Sequence, residues 1–402
     1  MKILMLGWEL PPHNSGGLGV ACYNLCKALT KSDIDIEFIV PYSDQHEVDF
    51  MAVTPALNHS AKALQAGASA YHSYKYSNEE LYAAYQDIFS QQRVYENNIL
   101  KVVAEKEFDI VHAHDWLTFR AALRLKEEYG WPVVMHVHSV ESDRAGGNHG
   151  NPLVHEIEDV ALHLADQIVA VSGYTKDLIV RDYGVPASKI QVVHNSLDLD
   201  ELSPLDDQNV YHYLTAVRSR GYRVVVSVGR LTIQKGLTNL LRAFKEVVGR
   251  EPKTFLLIVG SGDQYYELIE EAASLGIARQ VFFAGFQRGK PWRDAFAVGD
   301  LFVLPSVSEP FGLTPLEAIG YGTPALVSRQ SGVSEVLRSC LKVDFWDISE
   351  MANQITAVIR SPALRQSLQQ NALAEVASQS WAQAADKMLA IYEDTLKEKV
   401  PV

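Results

Sequence analysis

The sequence predicts an α/β protein made of two domains, each a parallel sheet covered by helices. Its 402 residues are more than one ordinary hydrophobic core holds, so two domains are expected. Short apolar runs alternate with helical patterns along most of the chain, which is typical of the βαβ units that build parallel sheets. A hydrophobic content of 47% with 21% charged residues is that of a soluble globular protein.

Apolar runs bounded by polar or glycine-containing segments give the strand predictions. In the N-terminal half they are residues 2–7, 34–40, 110–113, 132–137, 167–171 and 190–194; in the C-terminal half they are residues 224–228, 255–259, 281–284, 301–304 and 325–328. Residues 52–76 carry little strand signal and are predicted to be a surface excursion, unless Tyr71, Tyr74 and Tyr76 edge an acceptor site. The repeated pattern predicts two doubly wound, Rossmann-like domains, residues 1–200 and 201–380, followed by a C-terminal helix over residues 381–402.

The acidic charge of the chain lies in its N-terminal half. The net charge is −13; residues 1–200 contain 15 basic and 27 acidic residues, and the remainder contains 21 and 22. Nucleic-acid binding depends on neutralising phosphates, and docking on anionic lipid needs a basic surface. We therefore expect neither nucleic acid nor a membrane as a partner. No apolar run approaches the roughly 20 residues of a membrane-spanning helix.

The first residues and the cysteines indicate a reducing compartment. Residues 1–7 are too short an apolar run for a signal peptide and are predicted to form the first strand. Three cysteines cannot form a disulfide framework, and Cys22 and Cys26 have the helical spacing of core-facing thiols. We therefore expect a cytoplasmic protein.

The turn after the first predicted strand contains Gly16, Gly17 and Gly19. Glycines there allow the backbone to approach a ligand closely, and the following helix supplies N–H donors for phosphate. The spacing is not that of the G-x-G-x-x-G dinucleotide motif, so a nicotinamide enzyme is not favoured.

Two predicted strands of the N-terminal half end in His-x-His pairs, His112 with His114 and His136 with His138. Strand alternation places the members of a pair on one face, and no third ligand with fitting spacing is evident, so no metal is predicted. His138 is instead predicted to hydrogen-bond a polar ligand. The polar, glycine-rich residues 141–152 that follow are predicted to be a mobile loop beside a cleft, or a solvated connection.

Two cations follow the first predicted strand of the C-terminal half, Arg230 and Lys235. A planar guanidinium and an ammonium point charge together suit a diphosphate. The alternative is that both are solvated loop cations.

Two carboxylates flank the start of a helix predicted over residues 315–321. Glu309 lies in the turn after the strand 301–304, and Glu317 lies about one turn inside the helix. In open α/β sheets, ligands bind at such carboxyl ends of strands. Ionised carboxylates accept the hydrogen bonds that sugar hydroxyls donate, so the pair suits a polyol. The alternative is a solvated loop glutamate and a helix-start glutamate favoured by the helix dipole.

Together these motifs resemble those of the retaining glycosyltransferases of the GT-B architecture, in the branch of glycogen and starch synthases and many cell-wall and polysaccharide transferases. The resemblance rests on Ser308-Glu309-Pro310-Phe311-Gly312-Leu313-Thr314-Pro315-Leu316-Glu317-Ala318, combined with Gly229-Arg230-Leu231 and Lys235-Gly236. His112-Ala113-His114-Asp115-Trp116 is similar to the glycogen-synthase form of that segment, whereas Asn14 stands where those enzymes often have a lysine. The resemblance covers nearly the full length. It implies two Rossmann-like domains facing a central cleft, with the C-terminal helix returning to the N-terminal domain.

The resemblance implies a role for each candidate residue. Arg230 and Lys235 would hold the donor diphosphate and balance the charge of the departing nucleotide. Glu317 would bind the ribose hydroxyls, Glu309 would bind the donor sugar, and His138 would lie beside that sugar. The implied catalytic residues are His138, Arg230, Lys235 and Glu309; the further donor contacts are Gly16, Gly17, Phe311, Gly312, Leu313 and Glu317, and the nucleobase region is Phe286, Gln287 and Arg288.

The implied activity is transfer of a hexose, with glucose expected, from UDP- or ADP-glucose to a sugar or α-glucan acceptor, without a cofactor or metal. Glu309 and Glu317 lie in one domain, so neither is assigned as a nucleophile, and transfer on the same face assisted by the leaving phosphate is expected. Two alternatives are the same chemistry on a lipid-linked or cell-envelope acceptor, and a phosphorylase or sugar-nucleotide epimerase of the same fold.

Overall fold

The computed structural model describes residues 1–14, 16–57 and 78–398. Within these ranges strands and helices alternate around two parallel sheets, which confirms the predicted pair of Rossmann-like domains. The tyrosines Tyr71, Tyr74 and Tyr76 lie outside the described residues.

The first sheet and the helices that follow its strands come from the first half of the chain. Its strands are β1 (Lys2–Leu6), β2 (Asp35–Val40), β3 (Ala52–Pro55), β4 (Ile110–His114), β5 (Val133–Val137), β6 (Gln167–Ala170) and β7 (Ile190–Val192). Its helices are α1 (Gly17–Leu29), α2 (Asn78–Val103), α3 (Trp116–Tyr129), α4 (Glu141–Arg144), α5 (Pro152–Leu164) and α6 (Gly173–Tyr183).

The elements of the second sheet follow in the same alternation. Its strands are β8 (Arg223–Val228), β9 (Thr254–Val259), β10 (Val281–Phe283), β11 (Leu301–Leu304), β12 (Ala325–Ser328) and β13 (Leu341–Val343). The helices are α7 (His212–Arg218), α8 (Leu237–Arg250), α9 (Tyr265–Ser274), α10 (Lys290–Ala297), α11 (Thr314–Gly320), α12 (Val333–Val336), α13 (Ile348–Arg360), α14 (Pro362–Ala377) and α15 (Trp381–Glu398).

The first sheet has seven strands in the order β3-β2-β1-β4-β5-β6-β7, and every pair in it is parallel. Its central strands are buried on both faces, so they appear in the sequence as largely apolar runs, interrupted in β4 and β5 by His112, His114 and His136. The edge strand β3 corrects the prediction that residues 52–76 are a surface excursion with little strand signal, since residues 52–55 pair with β2. Its burial pattern is mixed, as an edge strand allows, and it therefore lacks the apolar signal of its neighbours.

The second sheet has six parallel strands in the order β10-β9-β8-β11-β12-β13, which is the doubly wound Rossmann order. Strand order reverses between β8 and β11, and ligands bind in such folds at the carboxyl ends of strands around this reversal. The short edge strand β13 is absent from the sequence-based prediction, because only three residues pair with β12.

The chain divides into two compact units, of which unit 1 comprises residues 1–196 and 381–402 and unit 2 comprises residues 197–380. The helix α15 is part of unit 1 and packs against α1. Trp381, Met388 and Tyr392 of α15 are buried together with Cys22 and Cys26 of α1 on one face of the first sheet. Unit 1 therefore completes its core with the last helix of the chain.

The cysteine predictions are confirmed by burial, since Cys22, Cys26 and Cys340 are buried thiols without disulfide partners. Among the helices in the described ranges, none combines the length and the hydropathy that crossing a bilayer requires.

Truncation of Met388 to alanine is expected to destabilise unit 1 selectively. The Met388 side chain is fully buried against α1, and removing such a side chain costs about 2–5 kcal/mol of unfolding free energy. Hydrogen exchange read by mass spectrometry should show faster exchange throughout residues 1–196 and unchanged exchange in residues 197–380. The exposed neighbour Lys387→Ala is the control. Equal acceleration in both units would contradict the assignment of α15 to unit 1.

Candidate functional site

The carboxyl ends of the strands in unit 2 carry loops that are joined to one another by backbone hydrogen bonds. We call these loops the rim; it comprises residues 229–236, 260–264, 284–289, 305–313 and 329–333. In sheet order, the bonds run from Gly260 N–H to Gly285 O (2.9 Å), Leu231 N–H to Ser261 O (2.9 Å), Val307 N–H to Gln234 O (2.8 Å) and Glu309 N–H to Gln330 O (2.9 Å). The rim thus brings together candidate residues that lie far apart in the sequence.

The loop that carries Lys235 lies directly on the loop that carries Glu309. Residues Ile233–Lys235 form a 3-10 turn that ends at Gly236 in the left-handed conformation, with φ of 63°. A Cβ at Gly236 would lie 2.2 Å from the carbonyl oxygen of Pro305, so only glycine permits this approach. This contact fixes where the Lys235 side chain starts relative to the following loop.

Lys235 and Glu309 form an ion pair although 74 residues separate them in sequence. The Lys235 Nζ atom lies 2.5 Å from the Glu309 Oε2 atom, and the Ser306 hydroxyl donates to the same oxygen at 3.1 Å. Only 16% of the Lys235 side chain and 9% of the Glu309 side chain are exposed, so water screens the pair weakly. The sequence predicts both residues for the site but not their direct contact.

The segment around Arg230 is held by a glycine pair that the sequence analysis missed. A Cβ at Gly260 would lie 1.8 Å from the carbonyl oxygen of Gly229, and one at Gly262 would lie 2.3 Å from that of Leu231. Both glycines follow β9, in Gly260-Ser261-Gly262. A G-x-G turn directly after an apolar strand was the available signal, because close backbone approach is a common reason for glycine there.

Glu317 lies on α11, the helix that follows the turn containing Phe311, Gly312 and Leu313. Burial raises the pKa of the Glu317 carboxyl to about 7, and a hydrogen bond from the Trp292 side chain partly opposes that rise. Trp292 belongs to α10, the helix that follows the loop 284–289. Glu317 N–H donates to the carbonyl of Leu313 at 3.1 Å, and Gly312 has φ of 95°. The turn therefore places Glu317 beside the helix that leads out of the predicted nucleobase region.

The predicted nucleobase region forms the end of the rim beyond β10. Phe286 is 52% exposed, and the Arg288 guanidinium lies over its ring at 5.3 Å from the centroid. The Gln287 side chain folds back onto its own loop, where its Nε2 atom donates a hydrogen bond to the carbonyl of Ala284 at 2.7 Å. An exposed aromatic ring with a guanidinium above it offers a surface on which a planar base can stack.

In unit 1, Gly17 opens α1 and Gly16 precedes it. A Cβ at Gly16 would meet no atom of the described residues within 4 Å. The loop is tied by Asn14, whose side-chain amide donates to the carbonyl of Gly16 at 3.0 Å, and by Glu9, whose carboxylate accepts from Gly19 N–H at 3.4 Å. These contacts leave open space at Gly16 on the carboxyl side of β1.

The His-x-His pairs of β4 and β5 come together as four imidazoles, which we call the histidine quartet: His112, His114, His136 and His138. The strands are parallel and His114 pairs with His136 in register, so both pairs project from the same face of the sheet. His112 Nε2 and His136 Nδ1 are 3.1 Å apart, and His114 Nδ1 and His138 Nε2 are 3.0 Å apart. The Tyr392 hydroxyl of α15 bonds His112 Nδ1 at 2.5 Å.

The quartet is neutral at physiological pH because burial lowers the pKa of each imidazole. The pKa of His112 and that of His138 fall to about 3. Those of His114 and His136 fall well below the usual value, for the same reason and because neighbouring imidazoles repel a second charge. The quartet therefore acts through hydrogen bonds rather than through positive charge.

The quartet corrects the prediction that no third ligand lies near a His-x-His pair. His112, His114 and His136 offer ligand atoms within 4.8 Å of one another, as do Cys22, His114 and His138. A tetrahedral zinc ion with bonds of about 2.0–2.1 Å needs ligand nitrogens roughly 3.3 Å apart, with their lone pairs converging. The rings instead stack, with interplanar angles of 27° within each pair. Nitrogen lone pairs lie in the plane of an imidazole ring, so those of stacked rings run side by side and do not converge on one point.

Asp115 fixes the backbone of His138. Its Oδ1 atom accepts from His138 N–H at 2.6 Å and from Ser139 N–H at 3.2 Å. Asp115 has φ of 60°, a conformation that costs a non-glycine residue free energy and is often found at functional sites. Burial raises the pKa of its carboxyl to about 7, against the influence of the nearby Arg144 guanidinium.

Residues 141–152 are only in part the solvated connection that was one prediction, since residues 147–149 are exposed but the start of the segment is buried. Glu141, Asp143 and Arg144 of α4 are buried, and Arg144 contacts Glu158 at 2.5 Å and Glu141 at 3.0 Å. Glu141 also accepts from Asn151 N–H at 2.7 Å, which ties the far end of the segment to its start. The segment is therefore anchored by a buried ion-pair network.

Two family models match the chain in succession. The model "Glycosyltransferase Family 4" matches residues 15–201, and "Glycosyl transferases group 1" matches residues 216–375. The chain is 30% identical over 325 residues to a D-inositol 3-phosphate glycosyltransferase of Rhodococcus opacus, covering 76% of this chain and 72% of that protein. It is 27% identical over 376 residues to the glycogen synthase of Mycobacterium tuberculosis, covering 91% and 88%.

Solved structures share the fold at lower sequence identity. Sucrose-phosphate synthase from Thermosynechococcus elongatus aligns with a TM-score of 0.76 at 19% identity, over 99% of this chain and 100% of that one. Anabaena HepE in complex with UDP-glucose aligns with a TM-score of 0.72 at 19% identity, over 97% and 100%. These likenesses show that the two-sheet architecture described above is that of both proteins.

Replacing Glu317 by glutamine is expected to change how stability depends on pH. The folded-state pKa of about 7 exceeds the ordinary value of 4.5, so the folded protein holds this proton more tightly than the unfolded chain. This contribution to stability is complete below pH 4.5 and is lost as the pH rises through about 7. Chemical unfolding of unit 2 should therefore show Glu317→Gln gaining stability relative to the native protein between pH 5 and pH 8.

The control is Glu350→Gln, which changes an exposed carboxylate in unit 2. Parallel pH profiles for Glu317→Gln and the native protein would contradict the raised pKa.

Proposed function

The chain belongs to the group 1 glycosyltransferase family, which has the GT-B architecture, and from this premise we propose that it transfers glucose with retention of anomeric configuration. The donor we propose is UDP-glucose or ADP-glucose, and the acceptor is a sugar or an α-glucan. The chain is a transferase by family. The donor, the acceptor and the stereochemistry are the proposal.

The contact between Lys235 and Glu309 is the observation that carries the proposed donor. In a nucleotide sugar the distal phosphate is bonded directly to C1 of the sugar, so a cation and a hydroxyl-accepting carboxylate should be neighbours. Lys235 Nζ and Glu309 Oε2 are 2.5 Å apart, on two loops that touch through Gly236 and Pro305. An ammonium suits the diphosphate, and an ionised carboxylate suits the hydroxyls of the sugar.

The rest of the rim suits the nucleoside. Phe286, with Arg288 above it, offers a stacking surface beyond β10, and Glu317 lies beside Trp292 of the helix that follows. A ribose linked to a base at this end of the rim would bring its hydroxyls to Glu317. Arg230, on the loop between, would add a second cation for the diphosphate. In sheet order the proposed base, diphosphate and sugar contacts follow β10, β8 and β11, and Glu317 on α11 would reach the ribose beside Trp292.

Relatives support glucose as the first sugar to test and leave a choice of acceptors. HepE is recorded with UDP-glucose, and the Mycobacterium tuberculosis relative is a glycogen synthase. The Rhodococcus opacus relative is a D-inositol 3-phosphate glycosyltransferase, which makes a phosphorylated polyol a reasonable second acceptor. We rank the α-glucan acceptor first because the glycogen synthase match spans more of this chain.

The proposed mechanism assigns binding and electrostatics to the carboxylates rather than nucleophilic attack. The Glu309 carboxylate already accepts hydrogen bonds from Lys235 and from the Ser306 hydroxyl. Burial raises the pKa of Glu317 to about 7, so its protonated form is favoured below that pH. Neither environment activates a carboxylate as a nucleophile. Lys235 and Arg230 would stabilise the departing diphosphate, whose oxygen would take the proton of the attacking acceptor hydroxyl on the same face. No step of this scheme uses a metal ion.

The donor and the stereochemistry are tested by a release assay with UDP-glucose and ADP-glucose. The acceptors are maltooligosaccharides and inositol phosphate, and the released nucleotide is measured. We expect acceptor-dependent release and, by NMR of the product, an α-linkage. Phosphorolysis of a glucan by free phosphate would replace the transferase with a phosphorylase, and absence of turnover and hydrolysis with every nucleotide sugar would overturn the proposal.

Replacing Lys235 by alanine is expected to lower turnover more than tenfold, because the diphosphate loses its point charge during departure. Arg250→Ala is the matched control: it removes a cation from unit 2 that is ion-paired with Glu246 at 2.8 Å. Thermal unfolding of both variants checks that they remain folded. A Lys235→Ala protein that is folded and turns over at a near-normal rate would refute the diphosphate role.

A further inference from the structure

The ring of His138 is held by a second histidine of the quartet. His138 Nε2 lies 3.0 Å from His114 Nδ1, whereas its backbone N–H is bound by Asp115. With Nε2 engaged, Nδ1 is the ring nitrogen through which His138 can reach a ligand. His138 is thus fixed at two points, one on its backbone and one on its ring.

A hydrogen bond between two neutral imidazoles has one donor and one acceptor, so two arrangements are possible. In the first, His114 carries its proton on Nδ1 and donates to His138 Nε2. In the second, His138 donates from Nε2, and His114 must then carry its proton on Nε2. The two arrangements present opposite groups at His138 Nδ1: an N–H donor in the first and a bare acceptor in the second.

The surroundings of His114 distinguish these arrangements. His114 is fully buried, and its Nε2 atom has no hydrogen-bond partner among the described residues. The second arrangement would bury an N–H group without an acceptor, and such orphaned donors are rarer in proteins than under-satisfied acceptors. The first arrangement leaves only a bare ring nitrogen there, and it is therefore favoured.

We propose that His114 is a positioning residue that holds His138 in the neutral tautomer protonated on Nδ1, so that His138 presents a hydrogen-bond donor to its ligand. The ligand class is an oxygen acceptor, such as a sugar hydroxyl or a phosphoryl oxygen. A role for His138 in the proposed glucose transfer is what the family resemblance implies and rests on the proposed function; the tautomer itself does not.

Packing restricts the ring to this orientation. His136 and His138 stack with centroids 4.3 Å apart, and His114 stacks on His112 at 4.4 Å and on Phe38 at 6.2 Å. A flip of His138 would exchange Nε2 for a C–H group opposite His114 and break the bond. The stack therefore holds the His138 ring close to the orientation in which it hydrogen-bonds His114.

The test compares two amide substitutions of His114 that differ in reach. In His114→Asn the amide occupies the place of Nδ1, so a bond to His138 is retained. In His114→Gln the amide lies one carbon farther out, near the place of Nε2, and the bond is lost. His112→Gln is the matched control, since it alters the same strand face and the same stack of rings, but His112 hydrogen-bonds Tyr392 and His136 rather than His138. All three variants keep a polar side chain in the core, which favours folding.

Two measurements are made on each variant. Nitrogen-15 NMR of labelled histidine, with the His138 signal assigned by its loss in His138→Phe, reports which ring nitrogen is protonated. Steady-state kinetics with the nucleotide-sugar donor reports kcat and KM separately. We expect one dominant Nδ1-protonated form in the native protein and in His114→Asn, and a mixture of tautomers in His114→Gln. We expect kcat to fall about tenfold or more in His114→Gln, with KM changed less than threefold, because misplacing one group affects the reaction more than binding.

The outcomes separate this inference from the proposed function. A single Nδ1-protonated form of His138 in His114→Gln, or an Nε2-protonated form in the native protein, would overturn the inference whatever the kinetics. A tautomer mixture with unchanged kcat would leave His114 as the positioning residue and would remove His138 from the proposed reaction. A kcat loss of similar size in His112→Gln would show that disturbance of the quartet as a whole, rather than the bond to His138, is responsible.

Discussion

A parallel sheet brings the carboxyl end of every strand to one edge, and both units of this chain depend on that constraint. In unit 2 it places five loops side by side, and backbone hydrogen bonds between neighbouring loops make them a continuous rim. In unit 1 it places two His-x-His pairs next to each other, because adjacent strands in register present the same face. Candidate residues that lie far apart in the sequence are brought together in this way by the sheet itself, and no contact between their side chains is required first.

The two buried polar clusters use opposite means to remain stable. Lys235 and Glu309 form an ion pair, and removing one member of a buried ion pair is costly. The imidazoles of the histidine quartet are instead neutral, because burial disfavours their charged form, and they hydrogen-bond to one another. Under the proposed function the ion pair would receive a charged diphosphate, and the neutral quartet would orient the ring of His138.

Periodicity and local motifs predict most of the fold and the identity of the candidate residues. Continuous apolar runs predict β4, β5, β8 and β11 to within two residues because both sheet faces are covered. The edge strands β3 and β13 escape prediction because they are short and lack that coverage. Glu309 and Lys235 are identified from sequence, but their pairing depends on Gly236 lying against Pro305, a contact across 69 residues. The third and fourth histidines of the quartet likewise become neighbours only through strand register.

The position of α15 has a consequence for synthesis. Unit 2 is inserted between the two segments of unit 1, so α15, which packs against the face of α1 that contains Cys22 and Cys26, is translated after unit 2. At ~5–20 residues per second, the nascent chain carries that uncovered apolar face for roughly 10–40 seconds while residues 197 to 398 are made. The unit that begins first is the one that is finished last. A chaperone that binds apolar surface has this interval in which to act.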